Sequence, residues 1–312
     1  MSTTVPTVAS TATVETVEQL LLDEAANFAT INYIYVIESE RLVGVISIRE
    51  LFRTPKTMRV ADLMVTNVVA VQVDEDQEVV ARIAVQHSIK AVPVVDDAGR
   101  LLGVVAMDTI LHIIRHETTE DFMHLAGATP DQVPGADLID ATARTHITKR
   151  LPWLLVGLIG GTVAAFVVSG FELVLAEYVA VAAFIPLVVY LADAVGGQIL
   201  VIYIRSITLR PDLPLPQYLL REVRVNIVLG AVLAIAIAGI SYLWHANVVL
   251  SVVLATSVYA TVAAAMLIGL LLPWAFYRTG RDPAIASGPF ATVIIDIVSL
   301  LIYFSVASLM LL

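Results

Sequence analysis

Five stretches in the second half of this chain are each about 20 residues or longer and almost free of charge. They run from Leu151 to Phe171, Tyr178 to Ile204, Val225 to Trp244, Val248 to Tyr277 and Pro289 to Leu311. An α-helix rises about 1.5 Å per residue, so each is long enough to cross the hydrocarbon core of a bilayer. There every backbone N–H and C=O must be paired within the segment, which makes such stretches helices. The chain therefore reads as a polytopic membrane protein with an all-α membrane domain. Its bulk composition agrees, since 58% of the 312 residues are hydrophobic and 15% are charged. The second and fourth stretches are long enough to tilt, and Pro186 and Pro273 are candidate kinks.

Basic residues orient the spans. Lys149 and Arg150 precede the first; Arg205, Arg210, Arg221 and Arg224 lie between the second and third; Arg278 and Arg281 lie between the fourth and fifth. The other two connections carry Glu172, Glu177 and His245 and no Lys or Arg. This bias predicts a cytoplasmic N-terminal domain, an outer C-terminus and a multi-pass location in the cell (plasma or inner) membrane. Trp153, Trp244 and Trp274 fall near span ends, where interfacial aromatics sit. Five spans are an odd number for a self-contained pore, so a C2 homodimer within the lipid bilayer is expected.

The first half is different in kind, with frequent charges and short apolar runs. Residues 1–13 are polar, lack the pattern of a signal peptide and read as a flexible tail. A repeat follows. "YVIESERLVGVISIREL" from Tyr35 matches "VVDDAGRLLGVVAMDTI" from Val94, with Arg41, Leu42 and Gly44 aligned on Arg100, Leu101 and Gly103. An apolar helical face precedes each copy: Leu20, Leu21, Ala25 and Phe28 in one, Val79, Val80, Ile83 and Ala84 in the other. Each copy thus predicts helix, strand, tight turn, strand, helix, with buried strands. A net charge of −10 leaves no basic stripe for phosphates, which excludes nucleic acid as a partner. With no cysteine there is neither disulfide nor thiolate metal site. No nucleophile–base constellation or phosphate loop is present, so no enzyme is expected.

The repeated pair resembles a tandem CBS (Bateman) module, over residues 14–126. The resemblance implies an α/β cytoplasmic domain that binds adenine nucleotides such as ATP, or cations, and regulates an attached domain. In nucleotide-binding copies the motif G-h-h-[ST]-x-x-D closes on an Asp. The first copy keeps Ser47 and has Glu50 at the Asp position. The second has Ala106 and Thr109 there, with Asp108 one place early. Ser47, Glu50 and Asp108 are the candidate nucleotide residues. The alternative is a folded dimerisation and coupling domain without a nucleotide.

Residues 127–150 join the halves. Glu117, Glu120 and Asp121 cluster before them, and a helix is expected from Gly135 to Arg150 with Asp137 and Asp140 near its start. Acidic groups suit a helix N-terminus on dipole grounds alone. Alternatively, carboxylates brought together across a dimer repel, and a divalent cation between them relieves the repulsion, which makes an ion sensor.

The order of CBS pair, linking helix and five spans resembles the MgtE family of magnesium channels. "RLPWLL", "GFE", "AAFIPLVV", "GGQILVIYIRSIT", "LLLPWAFYRTGRDPAIASGP" and "TVIIDIVSLLIYFSVA" carry the likeness in the membrane half, residues 151–312, and "TEDFMHLAGA" in the linker. It implies a pore on the dimer axis for a divalent cation, Mg²⁺ above all, gated by the CBS domain, with Mg²⁺ also regulatory. It places Asp296 where the family has its pore aspartate. Two departures stand out. Only a dozen or so residues precede the CBS pair, where the family usually has an acidic helical domain. The family's G-G-N-x-G-x-Q stretch is here "ADAVGGQ", with Asp193 and Ala194 in place of a glycine and the Asn, and Gly196 and Gln198 retained. Co²⁺, Mn²⁺ or Zn²⁺ as the carried ion, and a non-conducting nucleotide-sensing regulator, are the alternatives.

Asp296 is the only acidic or basic residue of the last span, and a charge near the bilayer centre costs about 2.5–3.5 kcal/mol on insertion scales. It lies about 10 Å along its helix from Pro289, too deep for a short side chain to reach the interface. It is expected either to face its dimer mate and attract a divalent ion, held through the ion's hydration shell, or to be protonated and hydrogen-bonded to a neighbouring helix. Asp193, mid-span in the second stretch, is a second metal candidate, and its alternative is a bond to Gln198 or a freed backbone amide. Gly196, Gly197 and Gln198 are the candidate constriction, although close helix packing alone also calls for such glycines.

Overall fold

The computed structural model describes residues 1–129, 141–210 and 213–312. It forms two compact units, Met1–Thr118 and Thr119–Leu312.

The first unit contains β1 (Thr7–Val8), α1 (Val14–Glu24), β2 (Tyr33–Glu38), β3 (Arg41–Ser47), α2 (Ile48–Leu51), α3 (Val60–Leu63), β4 (Val71–Gln72), α4 (Gln77–His87), β5 (Ala91–Val95) and β6 (Leu101–Ala106). It also holds most of α5 (Met107–Leu125). Two three-stranded sheets have the orders β1-β2-β3 and β4-β5-β6. In each, the short first strand is parallel to the second and the second is antiparallel to the third. The repeat expected from sequence is therefore real, and each copy gains a leading strand too short for a periodicity signal.

Each copy buries its own core. Val14, Val17, Leu21, Ile34, Val36, Ile46, Leu51 and Val60 pack in the first; Val71, Val80, Ala84, Val92, Val94, Val105 and Ile110 pack in the second. Side-chain caps start the helices: Thr13 accepts from Thr16 N on α1, and Asp76 from Glu78 N on α4. The β2–β3 turn puts Ser39 and Glu40 at φ 48° and 68°, the type I′ geometry that matches strand twist. The β5–β6 turn is built by Asp96, whose carboxylate accepts from Ala98 N at 3.0 Å and Arg100 N at 2.8 Å. The copies join through the aligned arginines, which pair as an antiparallel bridge.

Residues 1–13 correct the expectation of a flexible tail. Ser2 exchanges two 2.8 Å backbone bonds with Val104, Tyr35 N donates to Pro6 O, and Val5 is buried. Val5 and Val8 give the segment an apolar side that the sheet covers. Close crossings also explain the repeated glycines, a different one at each. A Cβ on Gly103 would meet Ser2 O at 2.6 Å, and one on Gly44 would strike Met64, which leads into the second copy.

The second unit contains α6 (Ala143–Ser169), α7 (Glu172–Glu177), α8 (Val179–Leu209), α9 (Leu215–His245), α10 (Val248–Arg278), a 3₁₀ turn (Pro283–Ala286) and α11 (Pro289–Leu311). Five of its helices are long and apolar enough to cross a membrane. All five expected spans are present, and α8 and α10 run unbroken through Pro186 and Pro273. At 31 residues α8, α9 and α10 are each about 46 Å long, well beyond the hydrocarbon core. The core lies among α8, α10 and α11, where Val188, Leu254, Val258, Val262, Tyr303 and Phe304 are buried together. Tyr303 donates to Val181 O at 2.7 Å and Tyr178 to Leu311 O at 3.0 Å, tying α11 to the start of α8.

The connecting helix expected from Gly135 is described only from Ala143, where it continues unbroken into the first span, capped by Thr142. Asp137 and Asp140 lie outside the described residues.

Candidate functional site in the membrane helices and a second ionisable cluster

Asp296 stands on the seventh step of α11 after Pro289, and Asp193 midway along α8. Their helices touch at this level, because Ala192, Ala265 and Ile295 are buried against one another with Ile268 packed on them. The two carboxylates are close enough for their charges to interact. One oxygen of Asp296, Oδ1, is shielded and accepts no hydrogen bond from the described residues. Among the described residues neither aspartate is bonded to a neighbouring helix, and no bond joins Asp193 to Gln198.

The glycines beside Asp193 divide by face. A Cβ on Gly196 would meet Ile295 Cδ1 at 2.6 Å and Ala265 O at 3.2 Å; one on Gly269 would meet Gly196 O at 2.5 Å. Gly196 and Gly269 therefore let the α8 and α10 backbones touch, and Gly196 is spent on packing within the protomer. Nothing lies within 4 Å of a Cβ on Gly197, and Gln198 is exposed. Asp193 and Gly197 are four residues apart and share one face of α8.

A second set of ionisable groups gathers where the end of α5 meets the α10–α11 connection. His124 Nε2 lies 3.9 Å from Glu120 and 4.0 Å from Asp282. The ligand atoms of these three lie within 4.8 Å of one another, a spacing that suits a metal ion. Asp282 also caps the 3₁₀ turn, accepting from Ala284 N. Asp121 is close by. Burial, then the charge of Asp282, raises its carboxyl to about 6, while Arg205 and His124 pull the other way. Gly288, at φ 62°, gives the close approach: a Cβ there would meet His124 O at 2.6 Å. Of the expected acidic group, Glu120 and Asp121 belong to this set. Glu117 instead accepts from Gln77 Nε2 at 2.7 Å in the first unit. Sequence reasoning missed Asp282, because no local spacing links it to α5; His124, four residues after Glu120 on one helix face, offers a spacing too common to single it out.

In the first unit a cleft of about 430 Å³ is lined by Tyr33, Tyr35, Ser47, Glu50, Asp62 and Asn67, with an apolar wall that includes Val69, Ile89 and Pro93. Ser47 caps α2 and accepts from Glu50 N at 3.2 Å. Asp108 is not part of that lining; it sits at the start of α5, where it accepts from Thr109 N.

The MgtE family of divalent cation transporters matches residues 185–306, which span α8 to α11. The CBS domain matches residues 1–56 and 60–116, the two copies of the first unit. The magnesium transporter MgtE of Enterococcus faecalis is 34% identical over 312 residues, covering 99% of this chain and 68% of that protein. The chain belongs to the MgtE family. The magnesium transporter MgtE of Bacillus subtilis is 36% identical over 282 residues, covering 89% of this chain and 61% of its own length. This chain thus spans about three fifths to two thirds of its MgtE relatives. Among solved structures it is similar to the cytosolic domain of the Mg²⁺ channel MgtE in complex with ATP, at 41% identity and a TM-score of 0.35, over 36% of this chain and 45% of that one.

Proposed function

We infer that this chain is a divalent-cation transporter of the cell membrane whose principal ion is Mg²⁺, conducting as a homodimer and gated from the cytoplasm. One observation carries the reading: Asp296, on a membrane helix, has a shielded carboxylate oxygen with no hydrogen-bond partner among the described residues and lies beside a second carboxylate. An unpaired charge at that depth is costly unless a cation meets it. Asp296 is the pore carboxylate, and Asp193, Gly197 and Gln198 border the ion path. Gly196 shapes that path by holding α8 against α10. Glu172 and Glu177, in the connection free of Lys and Arg, concentrate cations at the outer mouth. The basic residues of the other connections support a cytoplasmic N-terminus and an outer C-terminus.

Regulation is assigned to two places. Glu120, Asp121, His124 and Asp282 form the cytoplasmic ion sensor: a bound divalent ion offsets carboxylate repulsion and fixes the end of α5 to the connection leading into α11. The cleft at Ser47 and Glu50 takes an adenine nucleotide such as ATP, with the ring against Val69, Ile89 and Pro93 and the ribose on Glu50. No covalent chemistry is involved.

The test is Mg²⁺ uptake by liposomes carrying the purified full chain, against protein-free liposomes. Uptake above that background supports transport. Absence of uptake of Mg²⁺, Co²⁺, Mn²⁺ and Zn²⁺ by folded protein leaves a non-conducting CBS sensor in its place.

A further inference from the structure

Glu120, His124 and Asp282 bring an imidazole nitrogen and two carboxylates to one point, and all three belong to the second unit. Glu120 and His124 stand four residues apart near the end of α5, so one helix face presents both. Asp282 comes from the connection between α10 and α11, and its two oxygens are used differently. Oδ1 accepts from Ala284 N at 2.8 Å, which fixes the carboxylate, and Oδ2 lies 4.0 Å from His124 Nε2. Glu120 Oε1 lies 3.9 Å from the same nitrogen. His124 is 9% exposed, and its other nitrogen, Nδ1, is buried with no hydrogen bond among the described residues. The backbone around it is held, with Gly127 N donating to His124 O at 3.0 Å and Ala128 N to Met123 O at 2.8 Å.

Separations of 3.9 and 4.0 Å are too long for hydrogen bonds. Ligands about 2.0–2.2 Å from a tetrahedral ion stand about 3.3–3.6 Å apart. A small inward turn of the two carboxylates therefore places all three ligand atoms on one ion. Asp282 is partly exposed, so water reaches a fourth position. The donor set then decides which ion fits. Mg²⁺ takes oxygen ligands, keeps several waters and demands near-ideal octahedral geometry. Imidazole nitrogen suits Zn²⁺ and its transition-metal neighbours, and three protein ligands with one water complete a tetrahedral Zn²⁺.

We propose that Glu120, His124 and Asp282 form a transition-metal site that prefers Zn²⁺ to Mg²⁺, with His124 as the ligand that sets the preference. The ion joins the end of α5 to the connection leading into α11, so the regulatory cluster answers to Zn²⁺. The proposal deepens the sensor reading of this cluster and rests on it.

The experiment measures Zn²⁺ and Mg²⁺ binding to the purified full chain in detergent by calorimetry. Co²⁺ stands in for Zn²⁺ in a parallel titration, because its visible d–d bands report coordination number and ligands. The variants are His124→Gln, which removes the imidazole, and Asp282→Asn, which keeps an acceptor for the cap on Ala284 N and removes the charge. Wild type is expected to bind Zn²⁺ more tightly than Mg²⁺ and to give the intense Co²⁺ bands of a four-coordinate site. Each variant is expected to lose at least the roughly 10- to 100-fold in Zn²⁺ affinity that removing even a group supporting a metal ligand costs. The Co²⁺ bands are expected to vanish in His124→Gln. Unchanged Zn²⁺ affinity and Co²⁺ bands in folded His124→Gln overturn the proposal; if Mg²⁺ affinity still falls in Asp282→Asn, the divalent-ion sensor stands without its Zn²⁺ preference. Mg²⁺ and Zn²⁺ affinities that are both unchanged in folded Asp282→Asn overturn the sensor reading as well.

Discussion

At the scale of single residues, charge placed where solvent is scarce separates the two candidate ion sites from the rest of the chain. Asp121 is the clearest case outside the membrane. Burial and the neighbouring Asp282 raise its carboxyl from the usual 3.8 to about 6. A raised carboxyl means the folded state holds its proton to higher pH than the unfolded state does, so stability falls as pH rises between about 4 and 6. Above that window the charged Asp121 works against folding unless a cation joins it. Asp121→Asn is therefore expected to raise the melting temperature of the full chain at pH 7.5 without added divalent ion, and to flatten its dependence on pH between about 4 and 6. An equal or lower melting temperature at pH 7.5 would contradict the assignment. Asp296 was legible in the sequence because a lone carboxylate in an apolar span has no local excuse. Asp282 was not, since the fold alone brings it to His124.

At the scale of elements, glycines decide how closely the membrane helices approach. Gly269 faces the backbone of α8, and an added Cβ would lie 2.5 Å from Gly196 O. Backbone cannot swing aside as a flexible side chain can. Gly269→Ala is expected to cost about 1–3 kcal/mol, as overpacking does, and to show as a lower melting temperature in detergent. Gly239→Ala, on α9 with nothing within 4 Å, is expected to be tolerated. Equal effects would refute the crossing. Hydropathy located all five spans, yet α9 begins at Leu215, ten residues before the apolar stretch, and carries Arg221 and Arg224 on its extension. Those residues suit a helix as well as apolar ones do, so composition marks the bilayer and not the helix end. The strands β1 and β4 were missed for a related reason: two residues give no period to read.

At the scale of the whole molecule, a duplicated α/β unit and a unit with five long apolar helices share one chain, and the unit boundary falls within α5. That continuity gives a ligand in the first unit a covalent route to Glu120, Asp121 and His124. Glu50→Ala is expected to weaken ATP binding by the full chain about tenfold, the loss of one hydrogen bond to a charged group, whereas Asp108→Ala, outside the cleft, leaves it unchanged; calorimetry in detergent checks both. The duplication was visible in the paired "RLVG" and "RLLG" segments, while the cleft was not, because its lining comes from both copies. The central claim is that a cation crosses at Asp296. It is tested most directly by Mg²⁺ flux into liposomes for wild type and Asp296→Asn, with matched amounts of folded protein. The account predicts flux in wild type and its loss, by about 100-fold or more, in the variant that keeps the shape and removes the charge. Undiminished flux in Asp296→Asn would contradict it.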